Sequence, residues 1–164
     1  MLKFSRIVLA CAVLLGGTSN IAFAHGEKKG NTAPVVKEQT AWGIAGDASK
    51  VVRTIDVSMA DDMRFKPGNV EVREGDTVRF RIRNTGAMLH EFVIGTKAEN
   101  AKHAELMLKF PGMEHDEPYM AHVAPSKTGE IVWMFNKVGE FEFACLMAGH
   151  FQAGMVGTIT VTAR

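Results

Sequence analysis

From Val51 onward the chain alternates between apolar and polar positions. The stretch TVRFRIRN, residues 77–84, sets Val78, Phe80 and Ile82 on one side and Arg79, Arg81 and Arg83 on the other. A period of two is the mark of a strand with one buried face, so the arginines read as its solvated side. VVRTIDVSM, NVEVRE, LHEFVIG, GEIVWMF, FEFAC and VGTITVT predict further strands. Turn signals separate several of them: Lys66-Pro67-Gly68, Glu74-Gly75-Asp76, Asn84-Thr85-Gly86 and Val138-Gly139. Repeated short strands of this kind imply an all-β sandwich or barrel. One stretch departs from the pattern. AENAKHAELMLKF, residues 98–110, places Ala101, Ala104 and Leu108 at helical spacing before Pro111-Gly112 stops it. Residues 112–129, GMEHDEPYMAHVAPSKTG, then read as a long loop.

The first 24 residues differ from the rest. Lys3 and Arg6 precede the apolar run IVLACAVLLGG, and Ala22-Phe23-Ala24 offers small residues where a signal peptidase reads them. This is the order of a cleavable secretory signal, predicting export. The run is short for a membrane span, so no stable membrane insertion is expected. Residues 25–50 are polar at first and read as a flexible arm, with Trp42 and Ile44 able to dock. Residues 51–164 form the predicted domain.

Loss of Lys3 and Arg6 takes the formal charge from +1 to −1. No concentrated basic face is present, which argues against nucleic acid as a partner. Cys11 leaves with the signal, so Cys145 is then the single thiol. It cannot form an internal disulfide, and a free thiol in an oxidising compartment calls for protection by burial or by a metal.

Strand parity places a set of donors around that thiol. Phe141, Phe143 and Cys145 share the apolar face of FEFAC, and Met155 opens the next strand in phase with Gly157, Ile159 and Val161. The intervening loop, with two glycines, can bring His150 back toward both. His90 lies in phase with Met88, Phe92 and Ile94 on another inward face. One thiolate, two imidazoles and one thioether suit copper, and His₂Cys with a weak axial methionine is the blue-copper electron-transfer set. Zinc is the second choice, though methionine is not among its usual donors. A catalytic Cys–His pair is a third, without an evident group to activate the thiol.

On these residues the sequence resembles the cupredoxins, the plastocyanin, azurin and rusticyanin group. LHEFVIG and CLMAGHFQAGM carry the resemblance most specifically, and it covers about residues 51–164. WGIAGDA, MRFKPG, FPGMEHDEPYMAHV and CLMAGHFQAGMVGTI look most like the periplasmic cupredoxins linked to copper tolerance. The resemblance implies a Greek-key β-sandwich holding one type 1 copper ion. It also implies that His90, Cys145 and His150 are equatorial ligands with Met155 axial. One position departs from the family: many members place Asn after the first histidine, where it pins the ligand loop, and here Glu91 stands there.

A binuclear centre would need two cysteines in the loop, and a multicopper enzyme further histidine clusters such as His-x-His. Neither occurs, so no enzymatic activity is expected. Two roles remain: copper tolerance with one-electron copper redox activity, which the resemblance favours, and a dedicated electron carrier between respiratory partners. In either, the protein is expected to act as a monomer that meets a redox partner transiently. A second copper set is also expected from His103 and Met107, at i, i+4 on the helix, with the pairs Met113-x-His115 and Met120-x-His122. His25, as the first residue after cleavage, adds an amine and an imidazole that could chelate copper(II).

Overall fold

The computed structural model describes residues 37–164 apart from Glu114. The expected secretion signal, His25 and the first part of the expected arm lie outside the described residues.

Ten strands and one α-helix follow in chain order: β1 (Ile44–Ala45), β2 (Val51–Ala60), β3 (Arg64–Lys66), β4 (Asn69–Arg73), β5 (Thr77–Asn84), β6 (His90–Gly95), α1 (Lys97–Lys109), β7 (Met120–Val123), β8 (Thr128–Met134), β9 (Gly139–Ala144) and β10 (Val156–Thr162). They make two five-stranded sheets, ordered β1-β8-β5-β2-β3 and β4-β10-β9-β6-β7. The β2/β5 and β4/β10 pairs are parallel, and the remaining pairs are antiparallel. The expected all-β sandwich with one short helix is therefore present.

Alternation explains what lies between the sheets. Val78, Phe80 and Ile82 are fully buried, while Arg81 and Arg83 on the opposite face are exposed. Arg81 pairs with Asp56 at 2.5 Å on that outer face. The core is aromatic: Phe92 stacks on Phe143 at 4.8 Å, and Phe65 meets both rings edge-on. Such ring pairs contribute about 0.5–1.5 kcal/mol each beyond the apolar area they bury. Gly157, paired with Phe143 across β9 and β10, leaves the space that the Phe143 ring fills.

Three sequence expectations change. The helix starts one residue earlier than read, because the Thr96 hydroxyl accepts from the Glu99 N–H at 3.1 Å and caps it. The 112–129 loop contains an edge strand, β7, whose four residues are too few to show alternation. The arm is packed by residue 42: Trp42 is buried, its carbonyl accepts from Trp133 Nε1 at 3.0 Å, and β1 pairs with β8. The docking expected of Trp42 and Ile44 thus extends the sandwich back beyond Val51, through a β1 too short to register as a strand.

Strand β6 is buried at all six positions. Its inner face joins the aromatic core. Its outer face is covered by α1, whose Ala104 and Met107 pack with Val93, Met120, Ala144 and Leu146 in a second, smaller cluster. One strand thus offers side chains to two separate interiors.

Candidate metal centre

Cys145 follows directly on β9, and Met155 directly precedes β10, which pairs with β9. The Cys145 N–H donates to the Met155 carbonyl at 3.0 Å, so the ends of the loop are fixed beside each other. Within the loop, the His150 N–H donates to Met147 O at 2.9 Å and the Met155 N–H to His150 O at 3.1 Å. Gly149 and Gly154 take φ of 89° and 85°, the left-handed conformation that lets so short a loop turn back twice. His90 opens β6, the neighbour of β9 in the same sheet.

These elements converge. Cys145 Sγ lies 3.2 Å from His150 Nδ1 and 3.9 Å from His90 Nδ1. Sγ and one nitrogen from each ring all fall within 4.8 Å of one another. Cys145, His90 and Met155 are fully buried, while His150 is partly exposed. Met88, expected inward with His90, instead precedes the strand and is exposed.

The surroundings fix the roles of these atoms. His90 Nε2 meets Asp61 Oδ1 at 3.0 Å, so that nitrogen donates and Nδ1 presents its lone pair to the thiol. Asp61, in the β2–β3 turn, also accepts from the N–H groups of Ala87 and Met88 at 2.8 and 3.2 Å. Its hydrogen bonds, Ala87 first and His90 next, hold its carboxyl below the usual carboxylate range. Gly86 makes this possible, since a Cβ there would overlap the Asp61 carboxylate. Burial, and then the neighbouring His90, lower the pKa of His150 and so disfavour a proton on its ring.

Burial pushes the Cys145 thiol up to about 12, only partly offset by the backbone N–H groups of Glu91 and Met147. The Glu91 N–H reaches Sγ at 3.3 Å. A thiol so reluctant to ionise, facing two imidazole nitrogens, suits a cation that replaces its proton. The donor set of one sulfur, two nitrogens and a buried methionine alongside fits copper.

Sequence reasoning did not find Asp61 or Asn84. The doubt raised by Glu91 is answered by Asn84, which is fully buried at the end of β5. Its Nδ2 donates to Met88 O at 2.7 Å and Val123 O at 2.8 Å, and its Oδ1 accepts from the Gly86 N–H at 2.9 Å. A side-chain amide therefore does pin the segment before His90, from another strand. The only signal for it was a polar residue in phase at the end of an apolar strand face.

The model of the plastocyanin/azurin family of copper-binding proteins matches residues 51–162. The chain belongs to that family. Copper is accordingly its cofactor. Among curated relatives, a copper-resistant cuproprotein CopI from Rubrivivax gelatinosus is 46% identical over 162 residues, covering 97% of this chain and 98% of the relative. A protein of the same name from Pseudomonas aeruginosa is 35% identical, covering 98% of this chain and 96% of its own. Among solved structures, auracyanin B superposes with a TM-score of 0.60 at 18% identity, over 74% of this chain and 95% of that one. A dithionite-reduced auracyanin from Roseiflexus castenholzii gives 0.59 at 20% identity, over 68% and 98%. These two support the fold alone.

The residues expected to form a second copper set divide. His103 and His115 meet at 2.7 Å through their Nε2 atoms, and the His115 and His122 rings are 6.4 Å apart. Met107 and Met120 are instead packed in the smaller apolar cluster, and Met113 is exposed. No helix among the described residues is long and apolar enough to cross a membrane.

Proposed function

We propose that His90, Cys145, His150 and Met155 would hold one copper ion, and that the protein serves copper tolerance in the periplasm. The observation that carries the site is the convergence of one thiol sulfur and two imidazole nitrogens within 4.8 Å at one end of the sandwich. The role rests on likeness along nearly the whole chain to proteins named for copper resistance. Bound copper supplies a one-electron couple between its two oxidation states. The protein's own part is to hold donors still: Asp61 orients His90, the Glu91 N–H stabilises negative charge on sulfur, and the paired strands β9 and β10 fix the loop ends. Binding and single-electron exchange, rather than catalysis, are what this arrangement supports. His150 is the ligand nearest solvent, flanked by the partly buried Met147 and Phe151 and the exposed Ala148. That apolar rim suits brief contact with a redox partner, since such contacts are small.

Copper(II) added to the purified protein is expected to give an intense thiolate charge-transfer colour, and Cys145→Ser to abolish it. A colourless protein with ordinary copper(II) spectra would sink the assignment. Deletion of the gene is expected to raise copper sensitivity while respiration stays normal. Impaired respiration with unchanged copper sensitivity would instead select the electron-carrier role.

A further inference from the structure

On the outer face of β6, at the edge of the cover that α1 provides, lies a cluster outside the proposed type 1 centre. His122 on β7 pairs with Glu91 on β6 in register, and its Nε2 lies 2.9 Å from Glu91 Oε1. His122 Nδ1 lies 3.6 Å from Asp116. Beside it, His115 in the loop faces His103 on α1, with ring centroids 4.6 Å apart. Glu91 is only 2% exposed, and its second oxygen, Oε2, has no hydrogen-bond partner. A buried carboxylate with an unpartnered oxygen is costly unless a positive charge is near.

We infer that His103 and His115, with the Glu91–His122 pair beside them, form a second metal site that takes copper(II) independently of the type 1 centre. Two nitrogens bound to one ion at ~2.0 Å, cis to each other, stand about 3 Å apart. The His103 and His115 nitrogens, at 2.7 Å, need to part by only a few tenths of an ångström. Burial and the neighbouring His115 both disfavour a proton on His103, which leaves a lone pair free to coordinate. The two close donors are imidazoles rather than thioethers, because the methionines are packed elsewhere or exposed. Imidazole sites favour copper(II) above the other first-row divalent ions. His103 comes from α1 and His115 from the segment between α1 and β7, with Glu91 of β6 and His122 of β7 beside them. This is a different face of β6 from the one that carries His90. The site also deepens the proposed role in copper tolerance, because a second ion per chain raises binding capacity.

The test is a copper(II) titration of the purified protein, followed by visible absorption and electron paramagnetic resonance. The first equivalent should develop the thiolate colour. A second should bind without adding colour and should show an ordinary copper(II) signal with imidazole nitrogen coupling. The double variant His103→Ala/His115→Ala, and the loop variant His115→Ala alone, should lose the second equivalent and keep the coloured first, which also reports that they fold. His25→Ala should keep both. The inference is overturned if uptake stops at one equivalent, if the second persists in the double variant, or if it disappears with His25→Ala. Because the coloured first equivalent is read separately, failure here is distinct from failure of the type 1 assignment.

Discussion

Asp61→Ala isolates what the fold adds to the metal ligands themselves. The change removes one carboxylate that receives three donors: Ala87 N–H at 2.8 Å, Met88 N–H at 3.2 Å and His90 Nε2 at 3.0 Å. None of the proposed ligands is touched, and Asn84 still holds Met88 O. The loss therefore falls on the His90 ring, which is fully buried and has no other partner at Nε2 among the described residues. Its orientation and tautomer then become free to vary, and its Nδ1 becomes a poorer donor. Removing the partner that orients a metal-binding histidine typically weakens metal affinity about 10–100-fold. Copper affinity measured by competition with a chromophoric chelator at neutral pH should fall by that amount, while the thiolate band persists, because Cys145 and its Glu91 N–H contact are intact. Asp61→Asn, which keeps an acceptor oxygen but not the charge, should fall between the two. Asp56→Ala, which loses only an exposed pairing with Arg81, serves as the control. An Asp61→Ala affinity within twofold of the unaltered protein would refute the claim that this carboxylate positions His90.

Other outcomes follow from the same geometry. Copper binding displaces the proton of a thiol that burial holds well above neutrality, so from neutral pH upward apparent affinity should rise about tenfold per pH unit; a flat profile would overturn this proton coupling. Gly157→Ala puts a Cβ onto the Phe143 ring and 2.7 Å from Gly68 O, so denaturant unfolding of the copper-free protein should show a loss of about 1–3 kcal/mol. Trp42→Ala empties a site against Tyr119, at 5.1 Å between ring centroids, while the backbone carbonyl that accepts from Trp133 Nε1 remains. The same assay should register a loss of roughly 3–5 kcal/mol, whereas a loose arm would give none.

The sandwich and its donors were legible because both depend on period two. Phe141, Phe143 and Cys145 point inward for the same reason that Val78, Phe80 and Ile82 do, and Met155 inherits its direction from β10. Asp61 and Asn84 were not legible. Each acts through a turn or a contact between distant strands, and no local pattern encodes that an aspartate 29 positions before a histidine will meet its ring. The Met/His spacing was informative only by halves. It placed His103 with Met107 on one helix face, but could not show that burial under α1 claims the thioethers while the imidazoles gather at its edge. The burial of Trp42 was likewise invisible to periodicity, because a two-residue strand has none.

The double burial of β6 has a genetic consequence. His90 and Glu91 are adjacent, yet one faces the thiol and the other faces the covered outer interior. Loss or gain of a single codon between Gly86 and His90 that slid the strand by one position would exchange them. A carboxylate would then stand against the sulfur, and an imidazole would enter the wrong compartment. The segment can accept substitutions at the exposed Met88 and Leu89 far more readily than any change in length. Indels there should be purged even where they leave every ligand residue in place.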